Sequence, residues 1–134
     1  MNKIIAFLIC FTLVIPTSAY ANLPTKTKAT RENLLEDAVI DLLQPQMYEG
    51  VQKHYGTTKQ IAFHCLRVIE IKKLDHPGSW LFEATLEGVT YTGAHNSLDT
   101  ITVTVKKDWE DLKWVLKDFK VSSVKKNLEC RSPA

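Results

Sequence analysis

The side chains with most chemistry in this 134-residue sequence are three cysteines (Cys10, Cys65, Cys130) and four histidines (His54, His64, His76, His95). A thiol beside an imidazole can make a nucleophile, and sulfur with ring nitrogen can hold a metal ion. His64 and Cys65 are adjacent. Successive residues of a strand point to opposite faces, however, so their side chains are expected to diverge. No two histidines have the His-x-His or His-x-x-x-His spacing of a ligand pair, so a metal centre would have to be assembled by the fold. Spacing alone gives no catalytic, cofactor-binding or metal-ligating set.

Other constellations are weaker still. Asp37 and Asp41 stand four residues apart on a helical pattern. A working pair of carboxylates needs one acid in an apolar pocket, whereas these two fall outside the apolar stripe and read as a solvated face. Asp75, His76 and Ser79 are triad types, but they crowd into one turn and lack a nucleophile elbow. Gly88 to Gly93 has glycines five apart, yet Ala94 and His95 follow where a phosphate loop requires Lys and Ser or Thr.

One set stays open. Phe63, Trp80, Phe82, Trp114 and Phe119 could line an apolar pocket if a sheet curves around a helix, or could simply fill a core. The Thr85, Glu87, Thr102 and Thr104 face could instead meet a partner protein or a wall polymer.

Positioning these groups requires elements, and the chain starts with a leader. Lys3, the uncharged apolar run Ile4 to Ile15, Pro16 and the Ala19-Tyr20-Ala21 site read as a secretory signal peptide over 1–21. The run is too short to span a bilayer, which needs about 20 residues. Ile9 before Cys10 is not the small residue that a lipobox requires. Residues 22–29 read as a flexible leader, and 30–134 as a single domain.

The formal net charge is only +2, which argues against a nucleic-acid partner and against a polybasic membrane binder. Cys65 and Cys130 are the cysteines left after cleavage. In an oxidising compartment they read as a disulfide pinning the C-terminal tail to the first strand, worth about 2–4 kcal/mol. Two free thiols, or a pairing with another chain, are the alternatives.

Thr30 is placed as an N-cap, followed by Leu34, Leu35, Ala38, Val39, Leu42 and Leu43 at helical spacing. Pro45 then predicts a kink or a break into two helices, and Gly56 a left-handed cap. From Gln60 the period changes to two, with a bulge expected near Val68. His76 to Ser79 is a turn with Gly78 at a position that permits positive φ. Strands follow through Trp80–Leu86, with Trp80, Phe82, Ala84 and Leu86 on one face, and through Ile101–Val105, and Leu112 to Val121 is read as a fourth strand. The fold class is α+β: a kinked helix, or two helices, packed on a four-stranded antiparallel meander.

The helix-then-strands order and the closing Trp114-Val115-Leu116-Lys117-Asp118-Phe119 resemble cystatin-like and NTF2-like domains. Glu32-Asn33-Leu34-Leu35-Glu36-Asp37-Ala38, Tyr55-Gly56 and the Trp114-to-Phe119 strand resemble a family of small exported proteins of unknown function from Bacillus-type Gram-positive bacteria. That resemblance implies fold and compartment, and carries no site residues.

The expected function is a secreted, non-enzymatic binding or interaction module of the cell envelope or exterior, with no cofactor. An envelope protein, a wall polymer or a small apolar ligand are the candidate partners. The alternatives are a small NTF2-like enzyme with His64 or His95 as base in a helix–sheet cavity, or a structural wall or spore component.

Overall fold

The computed structural model describes residues 27–94, 96–128 and 130–134. The signal-peptide reading over 1–21, most of the 22–29 leader and the role suggested for His95 lie outside the described residues.

Among the described residues, one helix, α1 (Arg31–Tyr55), precedes four strands: β1 (Ile61–Lys73), β2 (Phe82–Thr92), β3 (Asn96–Lys107) and β4 (Trp114–Ser123). The sheet runs in the order β1-β2-β3-β4 with every neighbour antiparallel. This is the α+β meander that the change of hydrophobic period implies. The segment read as a strand over Leu112 to Val121 is one from Trp114 onward, where Val103 pairs with Phe119 and Ile101 with Val121, while Leu112 lies in the preceding loop at φ +58°.

α1 begins where the sequence says. Thr30 is extended at φ −77°, ψ 161°, and its Oγ1 accepts from the Asn33 N–H at 3.3 Å, satisfying a donor the first turn would leave unpaired. It ends at Gly56, whose φ of +72° suits a residue without Cβ. A single helix passes through Pro45 rather than breaking in two. Pro45 is exposed, so water can reach the backbone carbonyl that its missing N–H leaves without a partner.

The buried face of α1 is Ile40, Leu43, Met47, Gly50 and Val51. That corrects the stripe read from sequence: Leu34, Leu35 and Leu42 are 50%, 55% and 60% exposed. Leu43, Met47 and Val51 pack against Leu86, Ile101, Val103 and Val105 of the sheet. Gly50 permits the approach, since a Cβ there would sit 3.0 Å from Val103 Cγ1. The register of β2 on β3 puts the inward residues opposite one another, Ala84 with Val105 and Leu86 with Val103. The space between helix and sheet is therefore filled, and each fully buried aliphatic side chain contributes about 1.5–3 kcal/mol.

β1 departs from a regular ladder twice, between His64 and Arg67 and between Val68 and Glu70. The second matches the bulge expected near Val68. The turn after β1 closes with the Ser79 N–H donating to the His76 carbonyl at 2.9 Å. The positive φ in this loop falls on Asp75 (+69°) rather than on Gly78.

A groove under the C-terminal tail

The first bulge of β1 rearranges the chemistry. From His64 to Arg67 the strand advances three residues while its partner advances only from Val89 to Glu87. One extra residue is accommodated by Cys65, which takes a left-handed φ of +54°. The bulge cancels the alternation that would have separated the neighbours. Cys65 Sγ lies 3.1 Å from His64 Nδ1, so the expected divergence of these side chains is overturned. The other ring nitrogen, Nε2, sits 3.2 Å from Ser97 Oγ, and the imidazole packs edge-on to Tyr91 at 5.5 Å between centroids.

Cys65 is bridged to Cys130 with Cα atoms 4.7 Å apart, inside the range that a disulfide spans without moving backbone. The tail beyond it is held a second time, by charge. Arg131 Nη2 donates to Asp37 Oδ1, Arg131 Nε lies 3.3 Å from Glu36 Oε2, and the Ala134 N–H donates to Asp37 Oδ2 at 2.7 Å. The Ala134 N–H first, and the Arg131 guanidinium next, hold the Asp37 carboxyl below its ordinary value. Glu36 also accepts from the Val68 N–H at 3.0 Å, using its other oxygen to tie α1 to β1 beside the second bulge. Asp37 is thus a tether, not a member of a solvated pair with Asp41.

Between α1, the start of β1 and this tail lies a groove of about 540 Å³. Ile40, Phe63 and Leu66 give it an apolar floor, and Asp37, Asp41, Gln44, His64 and Arg131 a polar rim. Phe63 is fixed from two sides. Tyr48 meets it edge-on at 5.3 Å, and Gly88 lies beneath it: a Cβ at 88 would come within 2.9 Å of Phe63 Cδ1 and 2.7 Å of Leu66 Cδ2. Gly88 therefore serves packing of the groove floor.

Of the five aromatics read as pocket lining, Phe63 alone lines the groove. Phe119 and Trp114 pack against the filled core, Trp114 also taking a cation–π contact from Lys107 Nζ at 5.7 Å. Phe82 opens β2 under Lys73 Nζ, likewise at 5.7 Å. Trp80 stands before β2, 87% exposed, because the strand whose alternation would have turned it inward starts only at Phe82.

Among the described residues, His54, His76, Asp75 and Asp99 sit in local contacts away from the groove. The Tyr55 hydroxyl donates to Asp99 Oδ2 at 2.6 Å and lies 2.9 Å from Thr90 Oγ1. His54 Nε2 stands 3.5 Å from the same Asp99 oxygen. Burial first, and the Asp99 carboxylate next, push the Tyr55 hydroxyl above its ordinary value. His76 and Asp75 face each other at 3.5 Å, both exposed. Ser79 Oγ accepts from the Leu81 N–H at 2.9 Å, which spends that hydroxyl on the turn. On the outer face, Thr85 and Thr104 hydroxyls lie 3.3 Å apart and Thr102 Oγ1 donates to Glu87 Oε2 at 3.3 Å.

A family model described as a protein of unknown function, DUF3888, matches residues 35–125. The chain belongs to this family. The matched stretch runs from the first turns of α1 through all four strands and takes in Phe63, His64, Cys65 and Gly88. Cys130 and Arg131 of this DUF3888 chain fall beyond it. No curated protein and no solved structure matches the chain. Among the described residues no helix is long and apolar enough to cross a membrane.

Proposed function

We propose that the protein is an exported, non-enzymatic binding module that holds a small amphipathic molecule in the groove between α1, β1 and the tail. The observation that carries this reading is the groove itself. Its volume of about 540 Å³ falls in the size class of small-molecule sites, and it combines an apolar floor with a few convergent polar groups. A ligand with a flat apolar body would cover Ile40, Phe63 and Leu66. A hydrogen-bond donor on its head would face Asp41 and Gln44 at the rim.

Export is supported by the apolar run Ile4 to Ile15 followed by Ala19-Tyr20-Ala21, and by the disulfide, which persists in oxidising compartments. The enzyme alternative has a specific difficulty at His64. Both ring nitrogens are engaged, one with Ser97 and one beside Cys65, so neither is aimed at a molecule in the groove as a free base.

The test is to purify the oxidised protein without denaturation and to identify released small molecules by mass spectrometry. The same is done for Gln44→Trp, which fills the groove from the helix side. An amphipathic molecule recovered from the parent and depleted in the variant is the expected result. Equal recovery from both would overturn the assignment to the groove.

A further inference from the structure

At the edge of the groove His64, Cys65 and Cys130 present one ligand atom each, all within 4.8 Å of one another. Two thiolates and an imidazole are the donor types that thiophilic d10 cations select. Around such an ion, bonds of about 2.3 Å to sulfur and about 2.0–2.1 Å to nitrogen leave donors roughly 3.5–3.8 Å apart. His64 Nδ1 lies 3.1 Å from Cys65 Sγ, so small shifts bring the three atoms to that spacing once the bond between the sulfurs is open.

We infer that the reduced form of the protein carries a Cys65–Cys130–His64 site for a thiophilic d10 cation, Cu+ or Zn2+, and that the disulfide closes it. Two further features prepare the site. Ser97 Oγ lies 3.2 Å from His64 Nε2; with Nε2–H donating there, the ring turns its Nδ1 lone pair toward the sulfurs, as second-shell partners of metal-bound histidines do. And the tail has a second anchor besides the disulfide. Arg131, adjacent to Cys130, is tied to Asp37 and Glu36, and Ala134 to Asp37. Opening the bridge leaves Cys130 tethered beside Cys65, where the sulfurs need to separate by only about 1.7 Å from bonding to metal-ligand spacing.

The chemistry balances simply. A dithiol donor gives two electrons and two protons to the Cys65–Cys130 bond and leaves as its own disulfide. The cation then displaces the two thiol protons, which pass to solvent. With three protein ligands, Cu+ is fully held in trigonal coordination, whereas Zn2+ keeps a fourth position for water.

The experiment uses the protein reduced with dithiothreitol and desalted without oxygen. It is titrated with Cu+ against a chromophoric Cu+ chelator, and with Zn2+ against a zinc indicator. The expected result is one equivalent of at least one ion taken up by reduced protein and none by oxidised protein. Which arm responds identifies the ion. His64→Ala should weaken uptake by more than tenfold, and Ser97→Ala by about tenfold. Circular dichroism of reduced protein and of both variants separates loss of ligand from loss of fold. No uptake of either ion, uptake by the oxidised form, or equal affinity in His64→Ala would each overturn the site. The small-molecule reading of the groove is tested on oxidised protein, so either proposal can fail without the other.

Discussion

Asp37 near the start of the helix binds Arg131 near the end of the chain, across 94 residues of sequence. With the Cys65–Cys130 bridge, that contact holds the tail that forms one wall of the groove above Ile40, Phe63 and Leu66. Arg131→Ala should therefore loosen the tail without unfolding the domain. The Ala134 amide, which donates to Asp37, should gain fast hydrogen exchange, while the amides of β2 and β3 stay protected.

The same contact gives the tail an acid sensitivity. The Asp37 carboxyl is held below its usual 3.8 by Ala134 and Arg131. A carboxylate with a depressed folded value contributes stabilisation that is complete above its unfolded value and is lost as pH falls through the folded one. Tail docking is accordingly expected to hold above about pH 4 and to weaken below it. The Ala134 amide resonance followed from pH 6 to pH 2 reads this directly. Asp37→Asn should leave that resonance flat through the same range, at the position of an undocked tail.

Two neighbouring leucines separate the buried face of α1 from the exposed one. Leu43 is 1% exposed and Leu42 60%. Leu43→Ala should cost about 2–5 kcal/mol in a urea titration. Leu42→Lys should change stability by no more than about 0.5 kcal/mol. Equal costs would mean that α1 packs in the rotation its leucine stripe suggests.

That rotation shows where sequence reasoning stops. α1 carries two apolar stripes, one through Leu34, Leu35 and Leu42, the other through Ile40, Leu43, Met47 and Val51. The spacing read from sequence joined Leu34, Leu35, Ala38, Val39, Leu42 and Leu43 in one stripe, of which Leu43 alone is fully buried, because the rotation of α1 is chosen by what the sheet offers. Leu86, Ile101 and Val103 were legible as inward residues, since strict alternation with threonine leaves only one register that buries them. Thr30 and Gly56 were legible as caps because capping is local chemistry. The groove was not legible. Its geometry depends on a single left-handed residue, Cys65, and on an ion pair between the two ends of the domain, neither of which leaves a periodic trace. The adjacency of His64 and Cys65 was visible, but the alternation rule assigned it the wrong geometry.

Gly88 tests how firmly the groove floor is set. Its substitution by Ala places a methyl against Phe63 and Leu66, whose far ends must move. Overpacking of this kind costs about 1–3 kcal/mol. Since both displaced side chains line the groove, small-molecule binding should fall together with stability, and the Tyr48–Phe63 ring contact should shift in nuclear Overhauser spectra.

Removing the bridge with Cys130→Ser should lower stability by about 2–4 kcal/mol, as expected for a crosslink closing a long loop. A fold that survives this change, with Ala134 still docked on Asp37, would show that the charge clamp holds the tail by itself.

The most direct measurement of the central claim is fluorescence titration of the oxidised protein with 1-aminoanthracene, a flat aromatic amine that brightens on leaving water. The groove account expects saturable binding that Gln44→Trp weakens at least tenfold and that Leu42→Lys, on the opposite side of α1, leaves unchanged. Binding abolished by Leu42→Lys but untouched by Gln44→Trp would place recognition on the exposed leucine face and contradict the account, as would a failure of the dye to bind at all.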